Sequence, residues 1–175
     1  MKPLPPEAMV AALAAGQPEA YAALYDRLAP ALLRVARAML CDAAAAEDAV
    51  QDLFVNLVQA RERMAFVEDL DAYVFAVLRN VAARRLRSRQ MEQTHLRRLA
   101  MTGGGQPSPA RAADEELDAA LASLPPEQRE VVVLKISGGL TFAQIGAIVR
   151  VSPNTVAGRY RYAMEKLRKA LEKPS

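Results

Sequence analysis

The amino-acid sequence predicts an all-α protein: two small helical domains joined by a flexible linker, the C-terminal one containing a helix-turn-helix. Apolar residues recur at spacings of three and four in several blocks, and no segment shows sustained alternation of apolar and polar residues. Gly and Pro gather in TGGGQPSPARAA at 102–113. Two helices with their own start signals follow one another near the C-terminus. We therefore expect one domain at 1–98, a linker at 99–113 and a second domain at 114–175.

The N-terminal domain carries three predicted helices. The first covers residues 18–40, where apolar side chains recur every three or four positions, and Pro30 is expected to kink or divide it. The second runs over about residues 44–61 and the third over about residues 71–89.

The second helix has a polar face. A helical wheel turns Asp48 and Asp52 outward, with Gln51 at the side, and an exposed Val55 interrupts the stripe. The side chains expected in the core are Val50, Leu53, Phe54, Leu57 and Val58. Helix geometry alone allows two interpretations of the stripe: a solvated face of a bundle, or a docking face for a basic partner helix.

The third helix has a cationic face. Five arginines lie between residues 79 and 89, more than a solvated helix requires, and they would bind phosphates. Asn80, Arg84 and Arg87 project away from the core, whereas Arg85 lies on the apolar face and is expected to lay its stem along the core. The core side chains are Val74, Phe75, Leu78, Val81 and Ala82.

The loop before that helix, at 61–70, mixes Met64 and Phe66 with charged residues. It suits either an unstacked base or an ordinary hydrophobic staple.

The C-terminal domain ends in a helix-turn-helix at 141–171. Thr141 and Gln144 have the spacing of a capping box, and Ser152 followed by Pro153 supplies an N-cap and a first-position proline. The β-branched run VVVLKI at 131–136 is predicted to be helical because its flanks are helix-like and glycines follow it.

The second helix of that motif has the surface of a major-groove reader. Asn154, Gly158, Arg161 and Tyr162 point away from the core, with Thr155 and Arg159 on the flank. The expected core face is Val156, Tyr160, Ala163, Met164, Leu167 and Leu171. Gly costs about 1 kcal/mol relative to Ala inside a helix, so a close approach of the backbone to DNA would explain Gly158.

Charge alternates along the chain, although the net charge is only +3. Residues 1–78 hold 11 acidic and 6 basic side chains, whereas residues 79–98 hold 7 arginines and 1 glutamate. The pattern repeats with an acidic segment at 114–130 and a basic one at 131–175. One long DNA molecule and one large protein partner would satisfy both units.

Composition argues against an enzyme. Cys41 and His95 are the only residues of their kinds, so no disulfide, zinc site or Cys-His pair can form within this chain, and Cys41 is expected to be a small buried side chain. The glycines at 103–105 lack the Lys-Ser/Thr of a phosphate-binding loop. No catalytic residue, metal or cofactor is assigned. Without a signal-like or spanning apolar segment, a soluble cytoplasmic protein is expected.

Three blocks occur in a distinctive order and spacing. They are EDAVQDLF at 47–54, DAYVFAVLRNVAARRLR at 71–87, and LASLPPEQREVVVLKISGGLTFAQIGAIVRVSPNTVAGRYRYAMEKLR at 121–168. Together they resemble the signature regions of the extracytoplasmic-function (ECF) group of the bacterial RNA polymerase sigma-70 family. The resemblance implies an alternative sigma factor that binds core RNA polymerase, recognises the −35 and −10 promoter elements and helps to melt DNA.

Position by position, the resemblance assigns three surfaces. The residues facing the −35 element would be Asn154, Thr155, Gly158, Arg159 and Arg161. Those acting at the −10 element would be Asn80, Arg84 and the neighbouring Arg87. Asp48, Gln51 and Asp52 would meet the clamp helices of the polymerase, and the C-terminal domain would also bind the polymerase flap. The resemblance also raises an anti-sigma factor as a further partner.

The chain departs from the family pattern at several positions. Tyr73 stands where Trp is common, and the chain contains no Trp. Arg150 occupies a turn position that usually holds Gly, and Ala157-Gly158 replaces a commoner Lys-Ser pair. By the resemblance, the first change bears on the geometry of strand opening, and the last bears on one phosphate contact and on the −35 preference.

Two other classes remain open. A helix-turn-helix transcriptional regulator that does not act as a sigma subunit would explain 141–171 but not the arginines of the third helix. A helical interaction protein would leave both basic segments unused.

Overall fold

A computed structural model describes residues 5–99 and 112–172; the side chain of His95 and most of the expected linker lie outside the described part. In chain order the helices are α1 (Pro6–Ala14), α2 (Pro18–Leu40), α3 (Ala43–Gln59), α4 (Arg61–Met64), α5 (Leu70–Leu99), α6 (Ala112–Ala122), α7 (Pro126–Ile136), α8 (Phe142–Val149) and α9 (Pro153–Leu171). No strand occurs in these two ranges, and the all-α prediction is confirmed.

The predicted helices are present, with three differences. Helix α2 continues through the exposed Pro30, which therefore does not divide it. Helix α5 extends ten residues beyond the predicted end at Arg89. Helix α1 was not predicted; it begins with Pro6 and buries Met9 and Leu13 against the neighbouring helices.

Side-chain caps fix where several helices begin. Asp42 accepts a hydrogen bond from the Ala45 amide at 2.9 Å, and Asp69 accepts one from the Ala72 amide at 3.0 Å. The predicted capping box of α8 is confirmed. The Gln144 amide donates to Thr141 Oγ1 at 3.2 Å, and the Thr141 amide donates to Gln144 Oε1 at 2.7 Å.

The helices form two packed groups. In the N-terminal bundle (α1–α5), α2, α3 and α5 pack on one another around fully buried Leu24, Leu53 and Phe75. In the C-terminal bundle (α6–α9), α9 packs on α6, α7 and α8. Burying one such apolar side chain contributes about 1.5–3 kcal/mol, so this packing stabilises both bundles.

Arg129, within LPPEQREV, ties the end of α6 to α7. Its guanidinium donates to the carbonyl oxygens of Leu121, Ala122 and Leu124 at 2.7, 2.6 and 3.1 Å. Leu121 and Ala122 lie in the last turn of α6 and Leu124 in the turn that follows, where carbonyl groups lack the full set of intrahelical partners, so the arginine adds hydrogen bonds at this helix end.

The two bundles also pack against each other. Helix α7 lies on α2 and α8 lies on α5, and one continuous apolar core includes Val131, Leu134 and Ile145 together with side chains of the N-terminal bundle. The two bundles therefore share part of their apolar core.

Four side chains expected to be buried are exposed. Val58 is 48% exposed, Met164 36% and Leu171 46%, and Cys41 is also exposed. For Val58, Met164 and Leu171 the helical wheel gives the direction of the side chain within its own helix, but not whether another helix covers it. Cys41 ends α2 in the left-handed conformation (φ 52°), which turns it out of the core.

Candidate nucleic-acid and partner interfaces

The first turn of α9 is fixed by the residues of the preceding turn. Ser152 Oγ accepts a hydrogen bond from the Thr155 amide at 3.1 Å, and the two hydroxyl oxygens lie 2.8 Å apart. Pro153 occupies the first helical position. Asn154 and Thr155 consequently project into solvent from a preorganised helix start.

The cationic side of α9 continues this exposed face. Arg159 is half-buried and Arg161 exposed, with the Arg161 guanidinium 5.5 Å from the ring centroid of Tyr162. A Cβ atom built on Gly158 would meet no atom within 4 Å. Packing inside the protein therefore does not require a glycine here.

The turn of the helix-turn-helix has two special positions. A Cβ atom on Gly146 would lie 2.8 Å from the carbonyl oxygen of Val151, so the close approach of α8 to the turn requires glycine. Arg150 ends α8 with a φ of 59°, in the left-handed region, where a non-glycine residue costs about 1–2 kcal/mol. This position is the one at which the sequence departs from the common glycine.

The arginines of α5 divide into paired and unpaired side chains. Arg79 Nε donates to Glu130 Oε1 at 2.5 Å, and Arg89 pairs with Asp42 at 2.8 Å. Arg84 and Arg87 are exposed beside Asn80, and neither forms an ion pair within the described residues. The three residues predicted to act together are thus the ones left open on this face.

The acidic stripe of α3 is partly engaged by α5. Asp48, Gln51 and Asp52 are exposed, as predicted. Arg85 binds both carboxylates, with Nη2 2.5 Å from Asp52 Oδ2 and Nη1 3.4 Å from Asp48 Oδ2. The Arg85 side chain is only 29% exposed, which agrees with a stem laid along the core. Sequence reasoning missed the ion pairs, because they join residues on different helices.

Apolar side chains border the acidic stripe. Val55 and Val58 are 54% and 48% exposed. The surface of α3 is therefore mixed, with carboxylates beside uncovered aliphatic groups, a composition that suits a protein partner better than bulk solvent.

The loop before α5 separates its two apolar residues. Met64 is fully buried and closes the core, whereas Phe66 is 86% exposed. Met64 is therefore a core residue. The Phe66 ring is free for an external contact such as base stacking.

An apolar groove of about 700 Å³ lies between α6, α7 and α9, and sequence reasoning did not find it. Met164 and Leu171, expected in the core, line it instead. Ile136 and Leu117 contribute further uncovered apolar surface, 59% and 46% exposed. Arg161, Glu165 and Arg168 form its charged border.

One helix cap of the N-terminal bundle has a perturbed carboxyl group. The hydrogen bond from the Ala45 amide, followed by that from Arg89, lowers the pKa of Asp42 below its usual range.

Among the described residues, no group of three or more His, Cys, Asp or Glu could hold a metal ion. None of the described helices is both long and apolar enough to span a membrane.

Two family models match this chain: Sigma-70 region 2 over residues 24–92 and Sigma-70, region 4 over residues 114–167. RNA polymerase sigma factor CarQ of Myxococcus xanthus is 29% identical over 164 residues, covering 89% of this chain and 91% of the relative. ECF RNA polymerase sigma factor SigL of Mycobacterium tuberculosis is 30% identical over 175 residues, covering 94% and 96%.

Solved structures show the same fold. The sigma factor RpoE of Bartonella quintana, in complex with the anti-sigma factor NepR, superposes with a TM-score of 0.73 at 23% identity, covering 87% of this chain and 96% of that one. CnrH, in complex with the cytosolic domain of CnrY, superposes with a TM-score of 0.69 at 24% identity, covering 97% and 98%.

Proposed function

Because this chain belongs to the ECF RNA polymerase sigma factors, we propose that α5 and α9 divide promoter recognition between them while α3 holds the polymerase. The chain is an alternative sigma factor, which binds core RNA polymerase and directs promoter-specific initiation. Residues 1–98 would form the domain for the core enzyme and the −10 element, residues 99–113 the linker, and residues 114–175 the domain for the −35 element. The two matched regions, 24–92 and 114–167, fall within the two proposed domains.

The exposed face at the start of α9 supports the −35 assignment. Its cap fixes the helix, its first side chains are short and polar, and cations follow one turn later, which is the arrangement that enters a major groove. Asn154, Thr155 and Arg159 would meet base edges or phosphates, and Arg161 the flanking phosphate. Gly158 would let the backbone approach the DNA.

The open cations of α5 support the −10 assignment. Asn80, Arg84 and Arg87 lie on one face and remain exposed to solvent. The exposed Phe66 ring adds a surface on which an unpaired base can stack, and stacking is worth about 1–3 kcal/mol per base. Tyr73, an aromatic residue where the family commonly has Trp, would support strand opening with a smaller ring.

The stripe of Asp48, Gln51 and Asp52 would bind cations of the polymerase clamp. Arg85 holds both carboxylates from the side, so they are oriented before the partner arrives. Val55 and Val58 would be covered in the same contact. The mixture of oriented charge and uncovered aliphatic surface supports a docking face over a merely solvated one.

The groove between α6, α7 and α9 would bind the polymerase flap. Its floor is apolar, its border is charged, and it stays uncovered when the two bundles pack together. An anti-sigma factor would be a second protein partner, and it would compete for the same uncovered surfaces.

Run-off transcription with purified core RNA polymerase tests this proposal. Genomic fragments are transcribed by core enzyme alone and by core enzyme plus this protein, without any small ligand. We expect new start sites, each preceded by two sequence elements. Start sites identical to those of core enzyme alone would favour the helix-turn-helix regulator.

A further inference from the structure

The turn of the helix-turn-helix holds an arginine in a backbone conformation that favours glycine. Arg150 ends α8 with φ 59° and ψ 46°, and its amide donates to the carbonyl oxygen of Gly146. The Val151 amide donates to the same oxygen at 3.0 Å. A Cβ atom on Gly146 would lie 2.8 Å from the carbonyl oxygen of Val151, so the turn lies directly against α8 and has little room to shift. The left-handed conformation is therefore required at position 150, whichever residue stands there.

No contact inside the described part of the protein accounts for the arginine side chain. Arg150 is exposed, and within residues 5–99 and 112–172 its guanidinium forms no hydrogen bond, ion pair or ring contact. Arg79, Arg85 and Arg129, by contrast, each bind an acceptor on another part of the fold. Strained backbone positions gather at functional sites. A strained position whose side chain serves no internal contact favours an external one.

Arg150 lies next to the exposed face at the start of α9. The Cα atoms of Arg150 and Asn154 are at most about 15 Å apart, because each step along the chain is 3.8 Å. Residues 151–158 contain no Lys or Arg, so Arg150 and Arg159 are the cations nearest in sequence to the first turn of α9. The major groove of B-DNA is about 12 Å wide. A helix that enters the groove at Asn154 therefore brings Arg150 close to the phosphates along its edge.

We propose that Arg150 is a DNA phosphate ligand, whose guanidinium binds the backbone at the edge of the groove that the start of α9 enters. The planar fork of an arginine donates two hydrogen bonds to one phosphate. Such a contact fixes the position of the helix on the duplex and reads no base. The inference rests on the proposed −35 surface, to which it adds one positioning contact outside α9.

Three substitutions at position 150 separate the charge from the backbone conformation. Arg150→Asn removes the charge, and asparagine tolerates the left-handed conformation better than arginine. Arg150→Gly is a second neutral variant, which suits the same φ without strain. Arg150→Lys keeps a cation and the strain. The matched control is Lys166→Asn: Lys166 is an exposed cation of α9, 12 positions beyond Asn154 and hence about 18 Å further along the helix axis.

Thermal unfolding followed by circular dichroism measures the structural part of the effect. The neutral variants Arg150→Asn and Arg150→Gly should not lower the melting temperature, because both relieve backbone strain and neither breaks a contact within the described residues. A loss of DNA binding in these variants then reports the missing charge and not a damaged turn.

Titration of the full chain with a −35 duplex measures the contact itself. We expect Arg150→Asn and Arg150→Gly to bind about fivefold or more weakly than wild type in about 50 mM salt. One phosphate contact contributes about 0.9 to the slope of log affinity against log salt, so the ratio of wild-type to variant affinity should shrink about 3.5-fold between about 50 and about 200 mM salt. Arg150→Lys should keep most of the affinity and the wild-type slope. Lys166→Asn should bind as wild type does.

A mixed-sequence duplex of the same length separates a phosphate contact from base reading. Arg150→Asn should lose the same factor on both duplexes, because a phosphate contact is independent of sequence. Asn154→Ala should lose more on the −35 duplex than on the mixed one. Wild-type affinity in the two neutral variants, or a loss that does not depend on salt, would overturn the inference. Weaker binding to core polymerase with unchanged DNA affinity would assign Arg150 to a protein partner and would also overturn it.

The mixed-sequence duplex also distinguishes failure of this inference from failure of the proposed function. If the wild type directs no initiation with core polymerase, the proposed promoter surfaces fail, whereas a salt-dependent loss on the mixed duplex still identifies Arg150 as a DNA ligand. If initiation occurs and the neutral variants bind DNA as wild type does, only the role of Arg150 is refuted.

Discussion

Replacement of Gly158 by alanine should change stability and DNA binding in opposite directions. Gly158 lies within α9, and a Cβ atom there would meet nothing within 4 Å. The added methyl group therefore clashes with nothing, and the protein gains the full difference in helix propensity between alanine and glycine, about 1 kcal/mol. For a chain of this size, the gain raises the melting temperature by about 2–4 °C.

The same methyl group should weaken −35 binding. If the α9 backbone approaches a phosphate or a base at Gly158, the added carbon displaces that contact, and a good contact is worth about 1–3 kcal/mol. A loss of 1 kcal/mol corresponds to about fivefold in affinity. The protein would therefore become more stable and a poorer DNA binder through one substitution.

Circular dichroism during thermal unfolding and titration of a −35 duplex measure the two effects. The neighbouring substitution Ala157→Gly is the matched control, because it alters propensity in the opposite sense at a half-buried position. We expect it to lose about 1 kcal/mol of stability. A stabilised Gly158→Ala that binds the duplex as tightly as wild type would refute the close approach, and a destabilised one would refute the open space around Gly158.

Four further predictions follow from the described contacts. The double variant Arg159→Ala/Arg161→Ala should weaken protection of the −35 end in footprinting. The double variant Asn80→Ala/Arg84→Ala should leave that protection unchanged and reduce the permanganate reactivity of unpaired thymines. Equal loss of both signals in both variants would contradict separate DNA contacts. The double variant Asp48→Asn/Asp52→Asn should weaken binding to core polymerase by about tenfold or more, because the interface is desolvated. Glu19→Gln, at an exposed position at the start of α2, is the control. Asparagine is preferred to lysine because a cation would also repel Arg85. Met164→Asp with Leu171→Asp should weaken core binding through the flap while altering the unfolding free energy little, since both side chains are already partly exposed; unchanged affinity would remove the groove from the interface. Asp42→Ala should cost about 1 kcal/mol at pH 7, as for other N-caps, and Asp42→Ser should recover most of it. The pKa of Asp42 is lowered in the folded protein. The carboxylate therefore stabilises the fold above the unfolded pKa of about 4, and this stabilisation is lost as the pH falls through the folded value. Chemical denaturation across pH 2–7 should show that the difference in unfolding free energy between wild type and Asp42→Ala shrinks at acid pH.

The sequence by itself determined where most helices begin and which side of each is polar. The start signals are local: the cap of α8 joins Thr141 to Gln144, and that of α9 joins Ser152 to Thr155, each across three residues. The outward positions of Asp48 and Asp52 follow from helical periodicity in the same way. The three-block resemblance then identified the family, which the comparisons confirmed. The short helix α1 was missed because its start is crowded with prolines and its nine residues offer too few turns for a periodic pattern.

The tertiary structure decided which surfaces are covered and which charges are paired. Whether Val58, Met164 and Leu171 are buried depends on how far a neighbouring helix extends, which periodicity within one helix does not contain. The pairs of Arg85 with Asp52 and of Arg79 with Glu130 join residues 33 and 51 positions apart in the chain. Their formation requires the folded arrangement of α3, α5 and α7, because attraction between charges acts over a few ångströms in space irrespective of their separation in sequence. For the same reason, the sequence shows two charged units, whereas only the packing of α7 on α2 and of α8 on α5 shows that their bundles contact each other.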